Sequence, residues 1–177
     1  MDLSEINQIQ QLAVAESLVA GLKGFAIPDP LSLAEWAAKH FYLSTESSYD
    51  EQAWNAWPYQ EAIMACISND EIEEIDWMKS ARTGNTKIML AAIGYFAEHK
   101  RRNQAMWQPT DDDRTAFVKT ELDTMLRDVA IMQHVFPSHI SRHRDNTLSQ
   151  KNFIGSPLHL KSGKAAKNYR RITIDLG

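Results

Sequence analysis

The sequence predicts an α/β fold with a mostly parallel sheet, preceded by N-terminal helices. Three observations carry that expectation. From residue 72 onward, strand-like and helix-like patterns alternate, the arrangement in which helices cover a parallel sheet. Two segments open with helix-capping spacing, Ser32-Leu33-Ala34-Glu35 and Thr110-x-x-Asp113. Between them, a loop at 79–85 joins a predicted strand directly to a predicted helix.

Taken in order, residues 3–20 place Leu3, Ile6, Ile9, Ala13 and Ala20 near one face of a helix that Gly21 and Gly24 would end. Pro28-Asp29-Pro30 is a rigid break, giving an N-terminal helix at 1–26 and a larger domain at 27–177. The Ser32 cap starts a helix to about His40, and residues 42–56, polar and aromatic without a clean period, read as loop. Pro58 suits the first turn of a helix carrying Ile63, Met64 and Ile67. Ile72–Met78 is the first predicted strand, followed by the loop and a helix from Thr86 to about His99. Gln104–Trp107 is a short strand ending at Pro109-Thr110, after which Phe117, Val118, Leu122, Met125, Leu126 and Val129 form one stripe of a long helix. Thr147–Phe153 and Leu158–Leu160 are expected to pair across Gly155-Ser156-Pro157, and a short helix at 164–169 and a strand at 171–176 complete the pattern.

Composition narrows the class. Hydrophobic content of 44% and charged content of 24% are ordinary for a soluble globular chain. The longest apolar run, Ile88 to Ala97, is too short to span a bilayer, and the first residues lack the basic start of a signal peptide. With Cys66 as the single cysteine, no internal disulfide can form, which points to a reducing compartment and away from a secreted or membrane protein. Net charge is −4, but it is unevenly spread: residues 138–177 carry eight Lys/Arg against two Asp, a balance of +6 that leaves −10 on the rest. A basic block on an acidic body is either a phosphate-facing surface or a solvated charged face.

The loop Met78-Lys79-Ser80-Ala81-Arg82-Thr83-Gly84-Asn85-Thr86-Lys87 is where a phosphate-binding loop belongs, because backbone N–H groups and the helix dipole converge at a helix N-terminus. A standard P-loop reads G-x-x-x-x-G-K-S/T. Aligned on Gly84, Lys79 takes the place of the first glycine, Asn85 that of the lysine, and Thr86 that of the magnesium-binding hydroxyl. The lysine has moved to the other end of the loop. Spacing alone leaves a plain basic loop as the alternative.

The string Lys-Ser-Ala-Arg-Thr-Gly-Asn-Thr-Lys at 79–87 resembles the deviant P-loop of lambda-like phage terminase large subunits, which carry their lysine at the loop's start. Other segments agree in order: Glu35-Trp36-Ala37, Phe41-Tyr42-Leu43, Glu46-Ser47-x-Tyr49, Pro58-Tyr59-Gln60, Trp107-x-Pro109-Thr110-Asp111, His143-Arg144-Asp145-Asn146-Thr147-Leu148 and Gly163-Lys164-Ala165-Ala166-Lys167-Asn168-Tyr169-Arg170. The resemblance spans roughly residues 27–177.

It implies a P-loop NTPase domain of the ASCE type, here incomplete, in a motor that drives viral DNA into a procapsid and cuts it in the host bacterial cytoplasm. ATP and Mg²⁺ are the implied cofactors. Lys79 would reach the β- and γ-phosphates, Arg82 would be a second cation near the γ-phosphate, and Thr86 would hold Mg²⁺. Ser80, Ala81, Thr83, Gly84 and Asn85 would complete the nucleotide-binding loop, with Gly84 allowing close backbone approach. Tyr49 would lie at the adenine, with a loop aromatic covering the core as the alternative, and Gln60 would read the adenine edge. Lys164, Lys167 and Arg170 are candidate contacts to DNA or phosphate, or else a charged helix face. The implied partners are the terminase small subunit, for which the 1–26 helix is a candidate contact, viral double-stranded DNA, and the portal or procapsid through parts lying outside this sequence. The resemblance places an Asp-Glu pair, which would hold Mg²⁺ and activate water, just beyond Asp175-Leu176-Gly177. No complete catalytic set is therefore expected in residues 1–177. A truncated binding module or prophage remnant is the alternative function.

Overall fold

A helix that buries almost every side organises the chain. It runs from Asn85 to Glu98 and buries Ile88, Leu90, Ala91, Ala92, Ile93, Gly94, Tyr95, Phe96 and Ala97. Its apolar run, Ile88 to Ala97, is not amphipathic, so it must be covered from several directions. The computed structural model describes residues 30–43, 52–137, 146–170 and 173–174, together with Val14 and Leu18. The chain divides into two compact units, Met1–Pro30 and Leu31–Gly177. In the first, Val14 and Leu18 are helical; the rest of the helix expected at 3–20 lies outside the described residues.

In the second unit, α1 (Leu33–His40) starts with the capping box read from sequence: the Ser32 hydroxyl accepts from the Glu35 N–H, and the Glu35 carboxylate accepts from the Ser32 N–H. Two-residue strands β1 (Tyr42–Leu43) and β2 (Gln52–Ala53) pair antiparallel within the stretch expected to be loop. Pro58 occupies the first turn of α2 (Pro58–Ser68). The buried helix is α3 (Asn85–Glu98), followed by β3 (Gln104–Gln108) and α4 (Asp111–Phe117), whose Thr110 cap accepts from the Asp113 N–H. The long helix expected here is interrupted by a π-helical turn at Val118–Leu122 before α5 (Asp123–Asp128), and a short α6 (Met132–Val135) follows. Strands β4 (Gln150–Phe153) and β5 (Ser156–Ser162) and a 3₁₀ turn at Ala166–Tyr169 complete the described elements.

The three-stranded sheet has the order β3-β5-β4, with β5 parallel to β3 and antiparallel to β4. It is mixed, not mostly parallel. The reason is local: only Ile154 and Gly155 separate Phe153 from Ser156, and Gly155 takes φ +102°. So short a link makes a hairpin, whereas a parallel pair needs a long crossover. The expected pairing of these strands is present, with its turn at 154–155.

Ile72–Met78 is not a strand. Ile72, Ile75 and Met78 are exposed and only Trp77 packs against the core. An apolar cleft of about 300 Å³ lies between this segment, α3 and β3, lined by Ile67, Trp77, Met89 and Met106 among others. An extended segment becomes a strand only by pairing its backbone, and among the described residues no strand pairs with this one. Likewise Thr173 and Ile174 have no strand structure; the remainder of the strand expected at 171–176 lies outside the described residues.

Contacts around α3 are close. Trp36 is fully buried, and its indole N–H donates to Glu98 at 2.9 Å. The Tyr95 hydroxyl donates to the Leu31 carbonyl at 2.9 Å. A Cβ at Gly94 would lie 2.6 Å from the Trp36 ring. Gly94→Ala should therefore lower stability by about 1–3 kcal/mol despite a helix-propensity gain of about 1 kcal/mol; urea denaturation will measure the balance. On β5, burial and the neighbouring Lys161 lower the pKa of His159. Folding then favours its neutral form. That contribution is complete above the unfolded value of about 6.5 and is lost as pH falls from there through the folded value. Urea midpoints should decline over this window, and less steeply in His159→Gln.

Candidate nucleotide-binding loop

The loop at 79–84 leads into the buried helix α3, so the core that fixes α3 also fixes the loop's outgoing end. Two positions in it have positive φ, Arg82 at 62° and Gly84 at 77°, and Gly84 is the N-cap of α3. Left-handed residues at a helix start turn successive peptide N–H groups toward one side, the geometry of an anion-binding nest. No side chain caps α3, and its earliest backbone bonds are Lys87 N–H and Ile88 N–H to the Gly84 carbonyl. The N–H groups of Asn85 and Thr86 precede any intrahelical acceptor.

The loop is held from outside by the first turn of α2. The Thr83 carbonyl accepts from the Tyr59 hydroxyl at 2.9 Å and from the Gln60 side-chain amide at 3.1 Å. Both lone pairs of that carbonyl are engaged. In a trans peptide the next N–H points the opposite way, so the Gly84 N–H is directed away from α2. Within the loop, the Thr83 hydroxyl donates to the Ser80 carbonyl at 3.3 Å.

Gln60 is buried, its amide oxygen accepts from the Trp57 N–H at 2.9 Å, and its amide nitrogen lies against Gly84. The resemblance implied adenine reading for this residue. Its amide oxygen and nitrogen each bond to backbone, of α2 and of the loop respectively, so the side chain positions the loop. Tyr49 lies outside the described residues.

Lys79, Ser80, Ala81, Arg82 and Thr86 are exposed, while Thr83, Gly84 and Asn85 are half-buried. Neither Lys79 nor Arg82 has an ion-pair partner among the described residues. Asn85, at the position of the standard P-loop lysine, donates to the Met89 sulfur at 3.9 Å and leaves a buried side-chain oxygen unpartnered. An amide there supplies no positive charge, so the loop's cations are Lys79 and Arg82. Among the described residues no cluster of three His, Cys, Asp or Glu could hold a metal ion. Thr86 can offer one oxygen to a magnesium ion whose other ligands are phosphate and water, a common arrangement for that ion.

Lys87, the last residue of the motif, pairs with Glu121 at 2.7 Å. Glu121 lies on the π-helical turn, an irregularity frequent near functional sites. Sequence reading assigned neither Lys87 nor Tyr59 a role. Their partners are 34 and 24 positions away, beyond any periodic signal. The sequence-predicted contacts Lys164, Lys167 and Arg170 are exposed and follow β5. β3 and β5 are parallel, and the Gly163 N–H donates to the Gln108 carbonyl, so this basic turn lies at the carboxyl ends of both strands. Ligands of open α/β sheets favour that end.

Residues 48–176 match the family model for the phage terminase large subunit gpA, ATPase domain. The chain belongs to this family. It is 39% identical over 174 residues to the terminase large subunit of Escherichia phage lambda, covering 98% of this chain and 26% of that protein. It is 42% identical over 173 residues to the terminase large subunit of Enterobacteria phage P21, covering 97% and 27% respectively. A 40-residue stretch is 45% identical to protein TfaD of Escherichia coli (strain K12). The chain thus spans about a quarter of the length of the two terminases it matches. No solved structure matches.

Gly84 carries a double restriction. A side chain there meets positive φ and a Cβ contact of 2.6 Å with the Gln60 amide nitrogen. Gly84→Ala should destabilise by about 1 kcal/mol or more. In a Gln60→Ala background the clash disappears and the cost should shrink by roughly 0.5 kcal/mol or more, measured as a double-mutant cycle in urea.

Proposed function

We propose that this chain is the nucleotide-binding portion of a DNA-packaging ATPase, and that ATP with Mg²⁺ binds at Lys79–Thr86. The observation that carries the reading is the loop's construction. A turn with two left-handed residues, backed by two hydrogen bonds to one carbonyl, opens a buried helix and presents two cations without ion-pair partners among the described residues. Polyphosphate needs that combination of directed N–H groups and positive charge. Lys79 and Arg82 neutralise the β- and γ-phosphates, the N–H groups of Gly84, Asn85 and Thr86 donate to the phosphate oxygens, and the Thr86 hydroxyl contributes to Mg²⁺. Tyr49 stacks on the adenine, and Gln60 acts indirectly by fixing the Thr83 peptide.

Family membership supports a wider role. The chain serves, within a longer protein, to couple ATP to movement of viral double-stranded DNA into the procapsid in the bacterial cytoplasm. The segment at 1–26 contacts the small subunit, and Lys164, Lys167 and Arg170 meet DNA phosphate.

Titration with a fluorescent ATP analogue in Mg²⁺ tests the loop assignment. Lys79→Ala should weaken binding on the order of tenfold or more, as expected for loss of a charge-assisted contact. Gln60→Ala should weaken it less, and chelation of Mg²⁺ should lower affinity in the parent more than in Thr86→Ala. Equal affinity for parent and Lys79→Ala would sink the assignment.

A further inference from the structure

Beyond the nucleotide loop, an aromatic pair stands at the end of the sheet with no part in the chemistry above. Tyr169, in the 3₁₀ turn after β5, lies parallel to Trp107 of β3, with ring centroids 5.6 Å apart and planes within 7°. Trp107 is half-buried, yet Tyr169 remains 61% exposed. A stack in which one ring is inside and the other so open leaves an aromatic face toward solvent.

That face is held in place. The Asn168 side chain donates to the Ser162 carbonyl at 2.8 Å and to its hydroxyl at 3.2 Å, pinning the turn to the end of β5. The Gly163 N–H donates to the Gln108 carbonyl at 2.8 Å, tying the same turn to β3. A Cβ at Gly163 would lie 3.2 Å from the Tyr169 hydroxyl, so glycine makes room for the ring. Along its own segment the charge has one sign, while Asp111, Asp112 and Asp113 open α4 just past β3. Between Thr147 and Arg170 no carboxylate occurs, and Lys164, Lys167 and Arg170 are exposed without ion-pair partners among the described residues.

We propose that Tyr169, backed by Trp107, is a stacking platform for an unpaired base of single-stranded DNA whose phosphates lie along Lys164, Lys167 and Arg170. Every base has a π-face, whereas in an intact duplex those faces are occupied by neighbouring bases; an exposed ring among cations therefore distinguishes unpaired from paired DNA. The inference rests on the phosphate reading of the three cations given above, and adds to it a preference for unstacked strands.

The full chain and its variants can be titrated by fluorescence anisotropy with a labelled oligo(dT) and with a duplex of equal length, at two salt concentrations. The parent should favour the single strand. Tyr169→Ala and Tyr169→Leu should each lose about fivefold or more on oligo(dT), with duplex binding unchanged, while Tyr169→Phe retains it. The leucine variant keeps Trp107 covered, so it separates stacking from mere packing. Combined Lys164→Ala, Lys167→Ala and Arg170→Ala should weaken both DNAs and flatten the salt dependence. If both DNAs respond to the triple variant but oligo(dT) binding survives Tyr169→Leu, the platform is wrong and the phosphate reading stands. If the triple variant leaves both unchanged, the phosphate reading falls and this inference with it.

Discussion

Everything functional in this chain depends on one helix being enclosed. α3 buries nine consecutive or near-consecutive positions, and each large aliphatic side chain taken fully out of water contributes roughly 1.5–3 kcal/mol. α1 and α2 cover part of it, the sheet covers another, and α6 a third. Gly94 shows how tight the fit is, since the Trp36 ring occupies the space a side chain would take. An element so constrained cannot tilt or slide to suit its neighbours. The loop at its N-terminus therefore has a fixed base, and the rest of the loop needs only local help to hold its shape.

That local help comes from α2 through a single carbonyl. Tyr59 and Gln60 converge on Thr83 from one side, and the peptide's own geometry then turns the following N–H to the other. The cost is small: two side-chain hydrogen bonds, each worth about 0.5–1.5 kcal/mol net. The electrostatic part is arranged differently from a standard P-loop. Asn85 takes an inward position with its oxygen unpartnered, and the charge sits on Lys79 and Arg82. Lys87, which follows, is turned away to Glu121 and is unavailable as a phosphate ligand while that pair holds.

Helices and hairpin were legible in the sequence because their signals are local. The capping pattern at Ser32, Pro58 in a first turn, the apolar run of α3 and the Gly155 turn each rest on interactions within a few residues. The strand expected at Ile72–Met78 was not legible in that way, because a strand's existence depends on a partner that the segment itself does not encode. The antiparallel pairing that makes the sheet mixed was, by contrast, carried by the short link at Gly155. In the loop, the identity of the residues was readable and their assembly was not. Nothing in the spacing of Gln60 and Gly84 indicates that one would lie against the other, and only the structure shows Gln60 as a brace for the loop.

The free side of β3 has a consequence for handling the protein. β5 pairs with only one edge of Gln104–Gln108, and among the described residues no strand occupies the other. An apolar cleft lies against β3, and its lining includes the exposed Ile72 and Ile75. Bare backbone donors and acceptors next to apolar surface are the ingredients of strand-to-strand self-association. Solubility of the purified chain should therefore be governed less by its net charge than by concentration, with losses during concentrating steps that added salt does not cure.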